Sequence, residues 1–267
     1  MIIKASESVE KHHKILVPEY RAKAKALFGD WDETIIASCL QGVMGDIYLN
    51  EQMNAAAAVL GDFCFFAGEP CEELVKNGFG KTFLIMTPQN ADWGRAIEAV
   101  YGENAHPTVR YAVKKEKNCF DIDKLKGFID LLPREYRLSR IDRELYKSCK
   151  ENAWSKDFVK LFDTADDFEQ LGRGIVAIYE GEIVAGASSY SRYEEGIEIE
   201  VDTRSDFRRR GLATACCAAL ICDCCESGLY PSWDAQNLWS LALAEKLGYS
   251  FSHQYSAYEV TIEPNTQ

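Results

Sequence analysis

The sequence predicts an α+β chain in two parts, an N-terminal α/β domain over residues 1–132 and a C-terminal domain of sheet and helices over 133–267. Three observations predict it. Ile197-Glu198-Ile199-Glu200-Val201-Asp202-Thr203 alternates apolar and acidic residues, as a strand with two unlike faces does. The alanine-rich stretch Leu212–Glu226 lacks glycine and proline and reads as a helix, entered through Arg208-Arg209-Arg210-Gly211. The pattern also starts afresh after Leu132-Pro133, and 267 residues are enough for two domains of ordinary size.

The elements follow in order along the chain. A charged amphipathic helix is expected from about Ala5 to Phe28, stopped by Gly29-Asp30. A second helix follows Asp32 through Ile35, Ile36, Leu40, Val43 and Ile47, and the run Ala55–Ala58 suggests a short third one. Phe63–Ala67 and Thr82–Thr87 read as strands between turn-rich segments. A helix near Trp93–Tyr101, a strand near Thr108–Lys114 and a helix near Asp121–Leu131 complete the first part. The second part opens with a strand at Tyr136–Leu145, then helical pieces at Lys156–Phe162 and Ala165–Leu171. Gly174–Tyr179 and Ile183–Ser189 form a hairpin around Glu180-Gly181. After the strand at Ile197 and the helix at Leu212 come a short strand, Leu229–Trp233, a helix, Asn237–Leu247, and strand-like residues Tyr249–Ile262. The order is β-αα-βββ-α-β-α-β.

Composition narrows the function. Thirty basic against 42 acidic residues give a net charge of -12, which repels nucleic acid and anionic lipid and argues against both as partners. No apolar run reaches the length of a membrane span, and Met1-Ile2-Ile3-Lys4 lacks a signal-peptide core, so a cytoplasmic protein is expected. Five of the ten cysteines crowd into Cys216, Cys217, Cys222, Cys224 and Cys225. With no nearby histidine to complete a tetrahedral set, they are expected to pack as reduced, small apolar residues, and no metal is expected.

Arg208-Arg209-Arg210 is a local basic patch on an acidic chain, which suits one small anion better than a polymer. Helix-start amides beyond Gly211 are unpaired and partly positive, so this turn can hold a diphosphate. Gly80-Lys81-Thr82 does not make a triphosphate loop, because that spacing needs glycine where Val75 stands. These features point to a cofactor such as coenzyme A.

Arg208-Arg209-Arg210-Gly211-Leu212-Ala213, followed by an Asn-led helix that runs from Asn237 to Glu245-Lys246-Leu247-Gly248-Tyr249, resembles the two cofactor motifs of the GNAT superfamily of acetyl-coenzyme A-dependent N-acyltransferases. Trp233-Asp234-Ala235-Gln236-Asn237 is similar to the branch that includes the zwittermicin A resistance acetyltransferase. The resemblance implies a mixed, mostly antiparallel sheet and a cytoplasmic enzyme that transfers acetyl from acetyl-coenzyme A to an amine of a small molecule, such as an aminated antibiotic or metabolite. It implies that amides from Arg208 through Arg209, Arg210, Gly211, Leu212 and Ala213 to Thr214 hold the pyrophosphate, while the arginine side chains add field. Val201, Asp202 and Thr203 would lie along the pantetheine arm, with an amide near Val201 or Asp202 polarising the thioester carbonyl. Asn237 and Ser240, one turn apart, would contact the pantetheine; Asn237 is equally suited to cap its helix.

The chemistry needs a neutral amine. An alkylamine with a pKa about 10.4 is protonated at pH 7 by roughly three units, about 4 kcal/mol, so a base is required. Glu198 and Glu200 share a face of the cofactor strand and are the base candidates, or else they simply make that face polar. The family's usual thiolate-protonating tyrosine is replaced by Ala244, leaving Ser240, Tyr249 or water as the acid. That replacement also leaves a second reading open, a non-catalytic acyl-coenzyme A sensor. The N-terminal part is expected either to shape the acceptor site or to be a degenerate domain.

Overall fold

The computed structural model describes residues 1–10 and 13–263. Its contacts divide the chain into two compact units, Met1–Arg110 together with the residues from Gln254 onward, and Tyr111–His253.

The first unit begins with β1 (Ile2–Lys4), β2 (Ser6–Glu10) and β3 (His13–Leu16), then α1 (Pro18–Phe28) and α2 (Thr34–Gln41). The expected helix from Ala5 is therefore halved. It starts at Pro18, where a fixed φ and a missing N–H suit a first helical position. Next come β4 (Asp46–Asn50), β5 (Ala55–Leu60), β6 (Phe63–Gly68), α3 (Glu72–Lys76), β7 (Phe83–Pro88) and α4 (Ala91–Tyr101), with β8 (Ala105–Val113) leading out of the unit. Ala55–Ala58 is a strand and not the helix its composition suggests. It is paired on both sides, to β4 and β6, and is buried throughout, so tertiary pairing overrides alanine's helix preference. Ile47 likewise sits on β4, because α2 stops at Gly42 in the left-handed region.

The second unit contains α5 (Ile122–Asp130), β9 (Tyr136–Arg140), α6 (Arg143–Glu151), α7 (Ala165–Leu171), β10 (Gly174–Tyr179), β11 (Glu182–Tyr193) and β12 (Gly196–Thr203). It continues with α8 (Leu212–Glu226), β13 (Tyr230–Ser232), β14 (Asp234–Ala235) and α9 (Leu238–Leu247), and β15 (Phe251–Thr261) carries the chain back to the first unit. Lys156–Phe158 is a single 3-10 turn, shorter than the helical piece expected there. The boundary expected at Leu132-Pro133 lies instead at Arg110/Tyr111. The reason is apolar: Leu125 of α5 is buried in the second unit's core, with Phe128, Ile129 and Leu132 packed against it.

The second unit's sheet runs β13-β12-β11-β10-β9, antiparallel except where β13 joins β12 in parallel. That is the mixed, mostly antiparallel sheet the sequence implied. The hairpin between β10 and β11 turns through Glu180 and Gly181, both at positive φ, a primed turn that suits the strands' twist. On one face α8 packs Cys216, Leu220 and Ile221 into one core with Ile175, Ala185, Ala187 and Ile197.

The cysteines are free thiols and, as expected, mostly core. Cys222 and Cys225 stand three residues apart, yet no group that could hold a metal occurs among the described residues. Burial pushes the Cys216 and Cys224 thiols up to about 12. An unfolded thiol ionises near 8.5, so this contribution to stability is whole below about pH 8.5 and is lost as pH rises toward 12. The urea midpoint is expected to fall steadily between pH 8 and 10, and iodoacetamide is expected to label exposed Cys225 well before Cys216 or Cys217. A midpoint that is flat over that range would count against buried, reduced thiols.

Candidate functional site

β12 and β13 are joined over only part of their length. Gly196 pairs with Tyr230, Ile197 with Pro231 and Glu198 with Ser232. The approach is tight at Gly196, where a Cβ would lie 2.0 Å from the Tyr230 carbonyl oxygen. Beyond Glu198 the strands part, and β14 turns to pair with β8 through Asp234 and Ala235. From Ile199 to Thr203, β12 keeps β11 on one side and has no strand on the other among the described residues. An exposed strand edge offers a row of backbone donors and acceptors.

The far end of that edge runs into the basic turn. Arg209 has φ 61° and Gly211 φ 81°, so the chain passes twice through the left-handed region within three residues. For arginine this backbone is strained, and alternation of this kind turns successive N–H groups into a concave nest. The first bond of α8 runs from the Ala215 N–H to the Gly211 carbonyl, which leaves the N–H groups of Leu212, Ala213 and Thr214 at the helix mouth. A Cβ on Gly211 would meet nothing within 4 Å, so the turn opens to space there.

A cleft of about 430 Å³ joins the strand edge to the nest. Val201, Asp202 and Thr203 line one wall, Arg208, Arg209, Gly211, Leu212, Ala213 and Thr214 the end, and Asn237 and Ser240 the facing wall. Phe207, Gln236, Trp239 and Leu243 complete the lining, and sequence reading did not single them out. Trp239 carries the clearest signal of these, since it sits two residues after the capping asparagine and is 85% exposed.

Asn237 is a helix cap: its side-chain oxygen accepts from the Ser240 N–H at 2.9 Å. Ser240 Oγ accepts from Trp233 Nε1 at 3.0 Å, so the hydroxyl proton itself remains available to donate. Arg208 donates through Nε to the Thr203 carbonyl at 3.1 Å and lies 3.7 Å from Asp202, with most of its side chain in solvent. Arg210 is different. Its guanidinium bonds the Tyr136 hydroxyl and the Asp206 carbonyl and lies over Phe207, so its side chain braces the turn and does not line the cleft. Arg204 covers the same ring at 4.5 Å, so two cations pack on Phe207 within the turn.

A profile of the GNAT acetyltransferase family matches residues 25–258 of this chain. The chain belongs to the GNAT acetyltransferase family. It is thus an N-acetyltransferase by membership, and members of that family take acetyl-coenzyme A as co-substrate. The chain is 47% identical to a GCN5-related N-acetyltransferase-like protein from Streptococcus suis, whose crystal structure matches with a TM-score of 0.87 over 91% of this chain and 98% of that one. It is 24% identical to YdfB, an uncharacterized N-acetyltransferase of Bacillus subtilis, over 88% of this chain and 93% of that protein. A tandem GNAT protein from the clavulanic acid biosynthesis pathway, 12% identical with a TM-score of 0.55, covers 99% of this chain and 100% of its own, and shares the fold.

The GNAT acetyltransferase's two acidic candidates share the face of β12 opposite Ile197 and Ile199, as their alternation implied. Glu198 is 9% exposed and sits at the fork where β13 leaves, while Glu200 is half-buried. Opposite them on β11, Ser191 pairs with Glu198 and Ser188 with Glu200, and both serine hydroxyls are buried without a hydrogen-bond partner among the described residues. Sequence reading passed over these serines; polar residues on a central strand were the available signal. Tyr249 does not reach the cleft. It is fully buried, its hydroxyl donates to the Pro231 carbonyl at 2.5 Å, and burial holds its ionisation well above the usual phenol range. Tyr249 is therefore a packing residue, which removes it as the thiolate's acid. Ala244 is also in the core. Among the described residues no helix is long and apolar enough to cross a membrane.

Proposed function

We propose that this GNAT acetyltransferase moves acetyl from acetyl-coenzyme A to an amine of a small molecule, by direct attack within a ternary complex. The parting of β12 from β13 beyond Glu198, with the amide nest at the far end of the same cleft, carries this reading. The nest at Arg209–Thr214 suits the diphosphate, because its donors are backbone amides at a helix start, with Arg208 and Arg209 beside them. The open edge from Ile199 to Thr203 suits the amide-rich pantetheine arm, and an amide near Val201 or Asp202 would polarise the thioester carbonyl. Glu198 takes the amine's proton, directly or through water, from its place at the fork. The amine nitrogen forms its bond to the acetyl carbon as the carbon–sulfur bond breaks. The leaving thiolate, with a pKa near 8.5, needs little help, and Ser240 or water returns its proton.

The acceptor is proposed to be a cationic small molecule, such as an aminated antibiotic or metabolite, since a chain of net charge -12 favours a positive substrate over nucleic acid. Buried Ala244 is the observation that favours a sensor instead. Titration calorimetry with acetyl-coenzyme A, run beside thiol release across an amine panel, decides between them. Binding with turnover on an amine supports the enzyme, and binding with no turnover on any amine supports the sensor.

Asn237 offers a separate test, because cap and ligand contact use different atoms. Asn237→Asp keeps a capping oxygen but loses the amide donor, whereas Asn237→Ala loses both. The alanine variant is expected to lose about 1 kcal/mol of stability. Asn237→Asp is expected to keep its melting temperature while its KM for acetyl-coenzyme A rises several-fold. Unchanged KM in both variants would leave Asn237 a cap alone.

A further inference from the structure

The two units follow the same plan. Leaving aside the β2–β3 ribbon, the first runs β1, α1, α2, β4, β5, β6, α3, β7, α4, β8. The second runs β9, α6, α7, β10, β11, β12, α8, β13, α9 and then β15, whose residues from Gln254 onward return to the first unit, with α5 ahead of β9 and the two-residue β14 as additions. The pairings correspond as well. β4, β5 and β6 form an antiparallel meander with β7 added parallel to β6, as β13 is added parallel to β12. Asparagine caps the next helix in both, Asn90 before α4 and Asn237 before α9.

The correspondence fails at the cleft. β7 stays paired with β6 from Phe63 to Phe66, and the Gln89 N–H extends the ladder to the Phe66 carbonyl. The remaining groups of the β6 edge are taken by side chains. Gly68 donates its N–H to Gln89 Oε1 at 3.0 Å and accepts at its carbonyl from Trp93 Nε1 at 2.9 Å. Trp93 stands three residues after its capping asparagine, where the second unit has Ser240. It is fully buried and stacks on Phe66 at 4.9 Å. In place of the basic turn, Glu69-Pro70-Cys71 leads into α3, which is five residues long and opens with Glu72 and Glu73. Carboxylates at a short helix start repel a diphosphate where the second unit would attract one.

We infer that this chain carries one fold twice, and that the first copy has closed its own cofactor cleft with Gln89 and Trp93, so that each chain holds one acyl-coenzyme A. The inference rests on the coenzyme A reading of the second unit for the occupied site, and on the first unit's own hydrogen bonds for the closed one.

Titration calorimetry of the full chain with acetyl-coenzyme A, repeated on Gly211→Val, is paired with NMR of the five tryptophan indole N–H groups. The expected result is one molecule per chain, binding lost in Gly211→Val, and shifts of the Trp233 and Trp239 signals while Trp93 stays fixed. Two molecules per chain, or binding that survives Gly211→Val and moves the Trp93 signal, would overturn it. No binding at all would sink the coenzyme A reading of the second unit, and with it the count of one molecule per chain.

Discussion

Gly211→Val is expected to raise the KM for acetyl-coenzyme A by about 100- to 1,000-fold, because charge-assisted hydrogen bonds of roughly 1.5–3 kcal/mol each depend on the nest it shapes. Gly211 sits at φ 81°, where a β-branched residue is strained. The substitution meets no steric wall, since nothing lies within 4 Å of a Cβ there, so the fold has room for it. Two routes then lead to lost affinity. Either the backbone relaxes and the amides from Arg209 to Thr214 no longer converge, or it holds and the isopropyl group occupies the cleft. Both act on the diphosphate and spare the acetyl group. S-acetyl-pantetheine, which lacks the diphosphate, separates this from general damage: wild type should strongly prefer acetyl-coenzyme A over it, and the variant should lose most of that preference. Equal losses on both donors would mean that the turn does not hold a phosphate.

The legible part of the molecule was the part governed by local pattern. The alternation Ile197–Thr203, the glycine opening α8 and the asparagine opening α9 stand where the sequence placed them, since each is fixed by its own backbone geometry. Residues whose role depends on distant partners were not legible. Ala55–Ala58 reads as a helix until β4 and β6 flank it. Arg210 is the same residue type as Arg208 and Arg209, and Tyr136, many residues earlier, joins Asp206 and Phe207 in drawing its side chain away from the cleft. Tyr249 looked like a proton donor because a hydroxyl stood near a motif, but the Pro231 carbonyl claims that hydroxyl. The boundary missed at Leu132-Pro133 has the same origin, for the proline marks a local break while Leu125 belongs to a core assembled from residues far along the chain. Most of the cleft was therefore visible in the sequence, and the chemistry around it much less so.

Glu198→Gln removes the proposed base with almost no change of shape, and kcat is expected to fall about 100- to 10,000-fold, the usual worth of general base catalysis. KM for acetyl-coenzyme A should hold, because the carboxylate lies across the strand from the apolar face and away from the nest. The diagnostic is the pH profile. Without a base, the variant depends on amine that is already neutral, and with an amine pKa about 10.4 that fraction grows about tenfold per pH unit. From pH 7 to 9 the variant's kcat/KM should therefore climb about 100-fold, while wild type, which has a base to take the amine's proton, climbs less. The comparison belongs below about pH 9, where little of the stability held by the buried thiols of Cys216 and Cys224 has yet been lost. Glu200→Gln is the necessary companion, since Glu200 shares the face and pairs across to Ser188 as Glu198 pairs to Ser191. A large loss confined to Glu200→Gln would move the base by two residues. If neither variant loses more than a few-fold, proton removal does not pass through this strand, and water in the cleft is the base.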